Sequence, residues 1–332
     1  MLDVNTKTLT RNAYRVTSER DITCLRIRVP GGHLAAGHLA MVQRIAEEFG
    51  NGTVHLTTRQ GFEVPGIHFA RIPEVNLALR PLLEVLELGV SLPALDAGYP
   101  AAGTRNVSAC IGNRVCPFAN YDTTALAQEI ECAIFPNHSH VKIAATGCPN
   151  DCVKAHLQDF GIIGQAVVEL DAARCIGCEA CAKTCRRRVT AAIVMRNQQA
   201  VRDPQRCIGC GECVLVCPTG AWTRNPTHYF RLVILGRTGK KNPRLAATFL
   251  EWAEREAVLQ VIRNVYVFIE QHIDRSLPKE HLGYIVDRIG YPAFRAAVLT
   301  GVSLGPQTCV AETLNFAGYR YERATELIAD YT

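Results

Sequence analysis

Residues 146–156 read TGCPNDCVKAH, with three residues between Cys148 and Cys152, a proline and an acidic turn among them. Upstream, residues 109–118 read ACIGNRVCPF and set five residues between Cys110 and Cys116. Two pairs at two different spacings raise the question of what they bind, since the chain carries two longer cysteine runs beyond them. Of fifteen cysteines, those twelve fall in short-spaced groups, which favours metal ligation over disulfides in a reducing compartment. Cys24, Cys132 and Cys309 stand apart and are expected to be ordinary buried thiols.

Composition bounds the rest. The 332 residues are 48% hydrophobic and 20% charged, as expected for one large or two to three small globular domains. The start, MLDVNTKTLTRNAYRV, has no apolar segment of the signal-peptide kind, and charge interrupts stretches such as VLQVIRNVYVFI. A soluble cytoplasmic protein is expected. The formal charge of +5 does not argue for nucleic acid. Each four-iron cluster with its thiolates carries about −2, so three would shift the balance by about −6. No basic groove studded with aromatic residues accompanies the charge.

The expected fold class is α+β. In TCLRIRV, Leu25, Ile27 and Val29 alternate with arginines at the period of a half-buried strand. GHLAMVQRIAEEFG is helical in spacing and closes on Gly50; TVHLTTRQGFEV then reads as one strand and EVNLALRPLLEVLELG as a second helix. That order suits a ferredoxin-like half-domain over residues 1–95. Residues 96–165 hold both unusual cysteine pairs around a helix, YDTTALAQEIECAIF. Residues 166–226 form a cysteine-rich block, and 227–332 begin with a strand, FRLVILG, and continue into a mostly helical tail. The cysteine-rich block reads as an insertion into a larger domain.

Inside that block, CIGCEACAKTC supplies Cys175, Cys178, Cys181 and Cys185, and CIGCGECVLVCP supplies Cys207, Cys210, Cys213 and Cys217. Both are C-x2-C-x2-C-x3-C, the bacterial two-cluster ferredoxin pattern, in which the fourth cysteine crosses to the other cluster. Cys175, Cys178, Cys181 and Cys217 are thus assigned to one cluster, and Cys207, Cys210, Cys213 and Cys185 to the second. Eight cysteines in this double repeat argue against zinc. Arg186 replaces the proline that follows the second run and opens a triple-arginine stretch, either a solvated face or a docking patch for an acidic electron donor.

CIGNRVC followed by GCPNDC resembles the cluster signature of sirohaem sulfite and nitrite reductases. The resemblance implies a third four-iron cluster on Cys110, Cys116, Cys148 and Cys152, with Cys152 also the axial ligand of sirohaem iron. A helix beginning at VKAHLQDF would stabilise that thiolate. The resemblance further implies substrate contacts from Arg59 in LTTRQGFEV, from Arg105 in GTRNVSAC, and from His140 and Lys142 where the family carries two lysines. Lys142 leans toward sulfite; His140 would donate protons as an imidazole. Lys240, Lys241 and Arg244 in GRTGKKNPR resemble the loop that grips the macrocycle carboxylates.

With the inserted clusters, the arrangement is most similar to the anaerobic, NADH-dependent branch of that family. The implied reaction is sulfite to hydrogen sulfide by six electrons, with nitrite to ammonia as the alternative. A three-cluster electron-transfer protein without sirohaem is the non-catalytic rival. No G-x-G-x-x-G follows a strand, so nicotinamide and flavin belong to partner subunits, a flavin-bearing NADH reductase and an iron–sulfur carrier. One copy of the half-domain plan implies a homodimer in which each copy helps enclose the other's cofactor.

Overall fold

The structure is a computed structural model that describes residues 13–86, 105–135, 137, 139–239, 243–277 and 280–316. Its first unit is a four-stranded antiparallel sheet, with β1 (Tyr14–Val16), β2 (Ile22–Ile27), β3 (His55–Leu56) and β4 (Phe62–His68) in the order β1-β2-β4-β3. Leu25 and Ile27 of β2 point inward, as the alternation predicts. Two helices, α1 (Leu39–Glu48) and α2 (Ile72–Leu86), cover that face with Val42, Ile45, Val75, Leu79 and Leu82.

The expected single strand over TVHLTTRQGFEV is two strands joined by a tight turn. The Thr57 N–H donates to the Gly61 carbonyl at 2.9 Å and the Gly61 N–H to the Thr57 hydroxyl at 3.0 Å. Gln60 takes a left-handed conformation there, and a Cβ on Gly61 would sit 2.6 Å from the Ile27 carbonyl oxygen. This turn projects Arg59 and Gln60 out of the first unit. The Gln60 amide pairs both ways with the backbone of Ala109, at 2.7 and 2.8 Å.

The second unit is a six-stranded mixed sheet. After β5 (Ser108–Ala109), helix α3 (Thr123–Ile134) starts at Asp122, whose carboxylate accepts the N–H groups of Thr124 and Ala125. Strands β6 (Ile143–Thr146) and β7 (Phe160–Gln165) follow, and β5, β6 and β7 run parallel. Every residue of β6 and β7 is buried, the mark of strands covered on both faces.

After β7 the chain leaves the sheet as β8 (Val168–Leu170), α4 (Ala180–Arg188), β9 (Ile193–Arg196), β10 (Gln199–Arg202), α5 (Glu212–Val216) and β11 (Trp222–Arg224). These make two small two-stranded sheets, β9–β10 and β8–β11, around their own core of Val168, Ala192, Ile193, Ala200 and Trp222. The chain re-enters as β12 (Tyr229–Ile234), which lies antiparallel against β7. Next come β13 (Ala247–Glu254), α6 (Arg255–His272), α7 (Leu282–Ile289), α8 (Tyr291–Val298) and β14 (Cys309–Val310), with sheet order β14-β13-β12-β7-β6-β5. Ala247–Glu254 falls in the expected helical tail but is a strand, because its Phe249, Leu250 and Ala253 complete the sheet's inner face beneath α6.

The buried stripes of α3 and α6 fill one face of the sheet against Ile162, Leu232 and Phe249. The opposite face is small and shallow, built of Ala144, Ala155, Ile163, Val233 and Ala246. Helix α3 is also bound to the first unit. Glu131, buried, pairs with the buried Arg28 and accepts the Val107 N–H, while Arg28 lies 4.3 Å over the Phe135 ring. Among the described residues no helix is long and apolar enough to cross a membrane.

Candidate functional site

Parallel strands β5 and β6 place cations and cysteines at opposite ends. Arg105 and Lys142 precede the strands; Cys110 and Cys148 follow them, five and six residues further along the chain. The chain between β6 and β7 passes back over the shallow face, carrying Val153 and Ala155 against Ala144 and Ile163. Cys152 lies on this return path.

At the cysteine end, Cys148 is buried, Cys110 and Cys116 are half-buried and Cys152 is exposed. Burial pushes the Cys148 thiol up, a backbone bond from Asn150 eases it, and neighbouring Cys152, Cys110 and Cys116 add to the rise. The Gly147 N–H donates to the Cys110 sulfur at 3.1 Å. The four thiols thus share one environment, and among the described residues no three metal-binding side chains close tightly enough for a single ion.

The helix expected after Cys152 is absent, and its N-terminus cannot stabilise that thiolate. Residues 155–157 make only a single 3₁₀ turn. Asp151 is the cause: its carboxylate takes the Ala155 N–H at 2.6 Å, the His156 N–H at 3.3 Å and the His156 ring at 2.8 Å. Asp151 and Lys154 both adopt left-handed backbone conformations, so Cys152 is presented on a loop held by one side chain. Asp151 was not singled out from sequence, although an Asp one residue before a cysteine in a turn was a visible signal.

At the cation end Arg59 is clamped. Its guanidinium donates to the Gln158 side chain at 2.9 Å and to the carbonyls of Asn106 and Ile143 at 2.6 and 3.2 Å. Burial and the neighbouring Arg105 lower its pKa to about 10, still cationic at neutral pH. Its Nε is buried without a partner, an orphan donor suited to an oxyanion or a carboxylate. Arg105 approaches the His140 Nδ1 at 3.0 Å. Arginine only donates, so that nitrogen accepts, and the ring proton sits on Nε2. Arg15, Arg26, Arg59 and Arg105 line one cleft, with Glu63 held by Arg15 and Arg26.

Sequence reasoning missed two members of this end. Asp159, buried at the start of β7, accepts the Lys142 N–H at 3.0 Å. Burial raises its pKa against the pull of Lys142, His281 and Arg59. His281, at the start of α7, meets the His140 carbonyl at 3.4 Å, with the two rings 6.0 Å apart. Asp159 lies in VKAHLQDF, the stretch read as a helix, and His281 is far along the chain; topology brings both to this end.

Arg244 and Arg237 pair with each other through their backbones, and both bind Asp287, at 2.9 and 2.8 Å. A Cβ on Gly283, two residues from His281, would lie 3.4 Å from each guanidinium, so this pair sits at the same rim. Lys240 and Lys241 lie outside the described residues.

In the inserted block, Cys175, Cys178, Cys181 and Cys217 line a single small pocket with Trp222, including the cysteine assigned across from the second run. Against slight burial, bonds from the backbone and hydroxyl of Thr219 and from the Trp222 and Ala221 N–H groups bring the Cys217 thiol down to about 7. Burial, with Cys207 and Cys185 nearby, pushes Cys210 up to about 11, and burial with Cys210 and Cys207 pushes Cys213 up to about 12. Both runs share one backbone device, with Gly177 and Gly209 and then Glu179 and Gly211 left-handed at matching positions. The donor sets, the N–H···S bonds and the crowding at Gly147 all fit four-iron clusters.

A family model described as the nitrite and sulphite reductase 4Fe-4S domain matches residues 101–305, and one described as the nitrite/sulfite reductase ferredoxin-like half domain matches residues 17–82. The chain is 43% identical over 314 residues to one subunit of the anaerobic sulfite reductase of Salmonella typhimurium, covering 94% of this chain and 93% of that one. It is 29% identical over 273 residues to the coenzyme F420-dependent sulfite reductase of Methanocaldococcus jannaschii, covering 81% of this chain and 41% of that one. Among solved structures, dissimilatory sulfite reductase I shares the fold with a TM-score of 0.65 at 16% identity, over 93% of this chain and 77% of that one.

Proposed function

This chain belongs to the nitrite and sulphite reductase family, and from that premise we propose that it is the catalytic sirohaem subunit of an anaerobic sulfite reductase. It takes sulfite to hydrogen sulfide with six electrons. The observation that carries this reading is the gathering of Cys110, Cys116 and Cys148 around an exposed Cys152, on the sheet whose other end presents Arg59, Arg105 and Lys142.

Cys152 would hold the sirohaem, which would supply a Lewis-acidic iron and a path for electrons. Arg59, Arg105 and Lys142 hold the oxyanion, neutralising charge that builds as each oxygen departs. His140, with its proton on Nε2, donates to a leaving oxygen. Asp159 tethers the backbone of Lys142 and offsets the cations around it. Arg244, with Lys240 and Lys241, is assigned to the macrocycle's carboxylates.

Twelve cysteines account for three clusters. Electrons originate at NADH and arrive through a flavin-bearing reductase and an iron–sulfur carrier; that the Salmonella relative is itself one subunit of an enzyme supports the existence of such partners. The complex is cytoplasmic, and the chain pairs with a second copy, which light scattering would detect.

Absorbance of anaerobically purified protein, followed by an anaerobic sulfite assay, tests the reading. Soret and red bands of an iron tetrapyrrole, with sulfide formed, are expected. Bands absent from a protein full of iron and sulfide leave only an electron carrier. Arg105→Ala or Lys142→Ala with intact cofactors and normal turnover would remove the substrate assignment, and faster turnover of nitrite than sulfite would reassign the substrate.

A further inference from the structure

The inserted block meets the sheet domain along a narrow seam, and two side chains outside every cysteine motif occupy it. The Asn120 backbone N–H donates to the Gly147 carbonyl at 2.7 Å, directly before Cys148. Its side-chain amide donates to the carbonyls of Gly164 and Gly209, both at 3.3 Å, and Gly209 directly precedes Cys210. Two carbonyl partners fix which end of the amide is nitrogen. Asn120 is 7% exposed, so water does not replace these bonds.

Glycines bring the backbones this close. A Cβ on Gly164 would lie 2.5 Å from the Gly147 oxygen, and one on Gly209 2.9 Å from Gln165 and from the Trp252 ring. Gln165 clips the same place, donating to the Ile208 carbonyl at 3.3 Å and accepting the Trp252 N–H at 3.0 Å.

Arg224 is the second residue. Its guanidinium donates to the Pro117 carbonyl at 3.0 Å, next to Cys116, and stands 2.8 Å from where a Cβ on Gly211 would be. Gly211 lies between Cys210 and Cys213 in a left-handed conformation. The matching position in the first run holds the same conformation with a glutamate, Glu179, so backbone angle alone does not demand a glycine. The difference is the arginine, for which Gly211 leaves room. Arg224 therefore places a cation between the turn of one cysteine set and the run of another. On the same strand, Trp222 sits beside Cys181 in the pocket of the outer set.

We propose that Asn120 and Arg224 are the positioning residues of the electron-transfer seam between the inner inserted cluster (Cys185, Cys207, Cys210, Cys213) and the cluster on Cys110, Cys116, Cys148 and Cys152. This rests on the function proposed above, in that both sets carry clusters. Asn120 supplies a continuous hydrogen-bonded route, from Cys210 through the Gly209 carbonyl and its own amide and backbone to the Gly147 carbonyl and Cys148. Arg224 stabilises the extra negative charge of the reduced inner cluster. The outer set, with Cys178 exposed and Ile176 68% exposed, is where electrons come in. Each event moves one electron: the inner core is oxidised by one unit and the receiving core reduced by one, with no bond broken and no proton transferred. A low-potential iron–sulfur protein, or dithionite in the assay, replaces the electron.

The test uses holoprotein reduced with dithionite, freed of excess and mixed with sulfite, with rapid-freeze electron paramagnetic resonance and a potentiometric titration alongside. In Asn120→Ser and Arg224→Gln the cluster beside Cys148 is expected to reoxidise at the wild-type rate, and the inserted clusters roughly tenfold more slowly. Arg224→Gln also lowers the inner cluster's potential, and Arg224→Lys restores it. Wild-type reoxidation of the inserted clusters in both variants, with an unmoved potential, overturns the proposal. If Asn120→Ser purifies without clusters, Arg224→Gln decides alone. Wild-type protein that sulfite fails to reoxidise removes the proposed function instead, and the potential of the inner cluster still judges Arg224.

Discussion

The Asp159 carboxylate accepts the backbone N–H of Lys142 at 3.0 Å, tying together the residues just before two neighbouring parallel strands. It does so while buried, so its proton is held more tightly than in an unfolded chain.

That fixes the sign of a pH effect. Between the ordinary carboxylate value of about 4 and the raised value, the folded state binds more protons than the unfolded one. Stability therefore falls as pH climbs through that window. Asp159→Asn keeps an acceptor for the Lys142 N–H and removes the titration. Thermal midpoints measured across pH are expected to lose this component of the fall in the variant.

His140→Gln separates proton supply from positioning. A glutamine oxygen can still accept from Arg105, but no imidazole proton remains. A loss of about 10²-fold in kcat with little change in KM is expected, measured by anaerobic sulfite turnover over a range of pH. A change confined to KM would make His140 a binding residue only.

Arg28→Met leaves Glu131 buried without its partner beneath the junction of the two units. Removing one member of such a pair costs about 3–5 kcal/mol, read as a lower urea midpoint. Glu131 also accepts the Val107 N–H, so the damage should reach β5 and loosen Arg105.

Gly147→Ala forces a methyl group into Ala119 and toward the Cys110 sulfur. Iron and sulfide analysis is expected to show one four-iron complement missing, while the signals of the inserted clusters persist. Full retention of iron would mean the turn at Gly147 has slack that its contacts do not suggest.

The cysteine spacing made the chemistry legible, because ligand geometry is local and short spacings survive any tertiary rearrangement. The spacing also put Cys217 with the first run, and it lines one pocket with Cys175, Cys178 and Cys181. Arg59 was singled out by motif, yet the turn that aims it was not legible, since TVHLTTRQGFEV alternates like a strand and only Gln60 and Gly61 mark the reversal. VKAHLQDF misled because its helical spacing competes with an Asp151 side chain that captures the same N–H groups. Asp159, His281, Asn120 and Arg224 left no local pattern. Each acquires its place from a pairing beyond the reach of local periodicity, from 17 residues for Asp159 to 141 for His281.

Tyr229 faces Gln165 across the β7–β12 ladder, so the inserted stretch departs and comes home at one point of the sheet. For roughly sixty residues leaving a shared base, lengthening or shortening the excursion changes loop-closure entropy only logarithmically. The inserted block could thus be grafted on or pruned during descent without redrawing the surrounding architecture. What such tinkering must preserve is the small join where Asn120 and Gly209 touch.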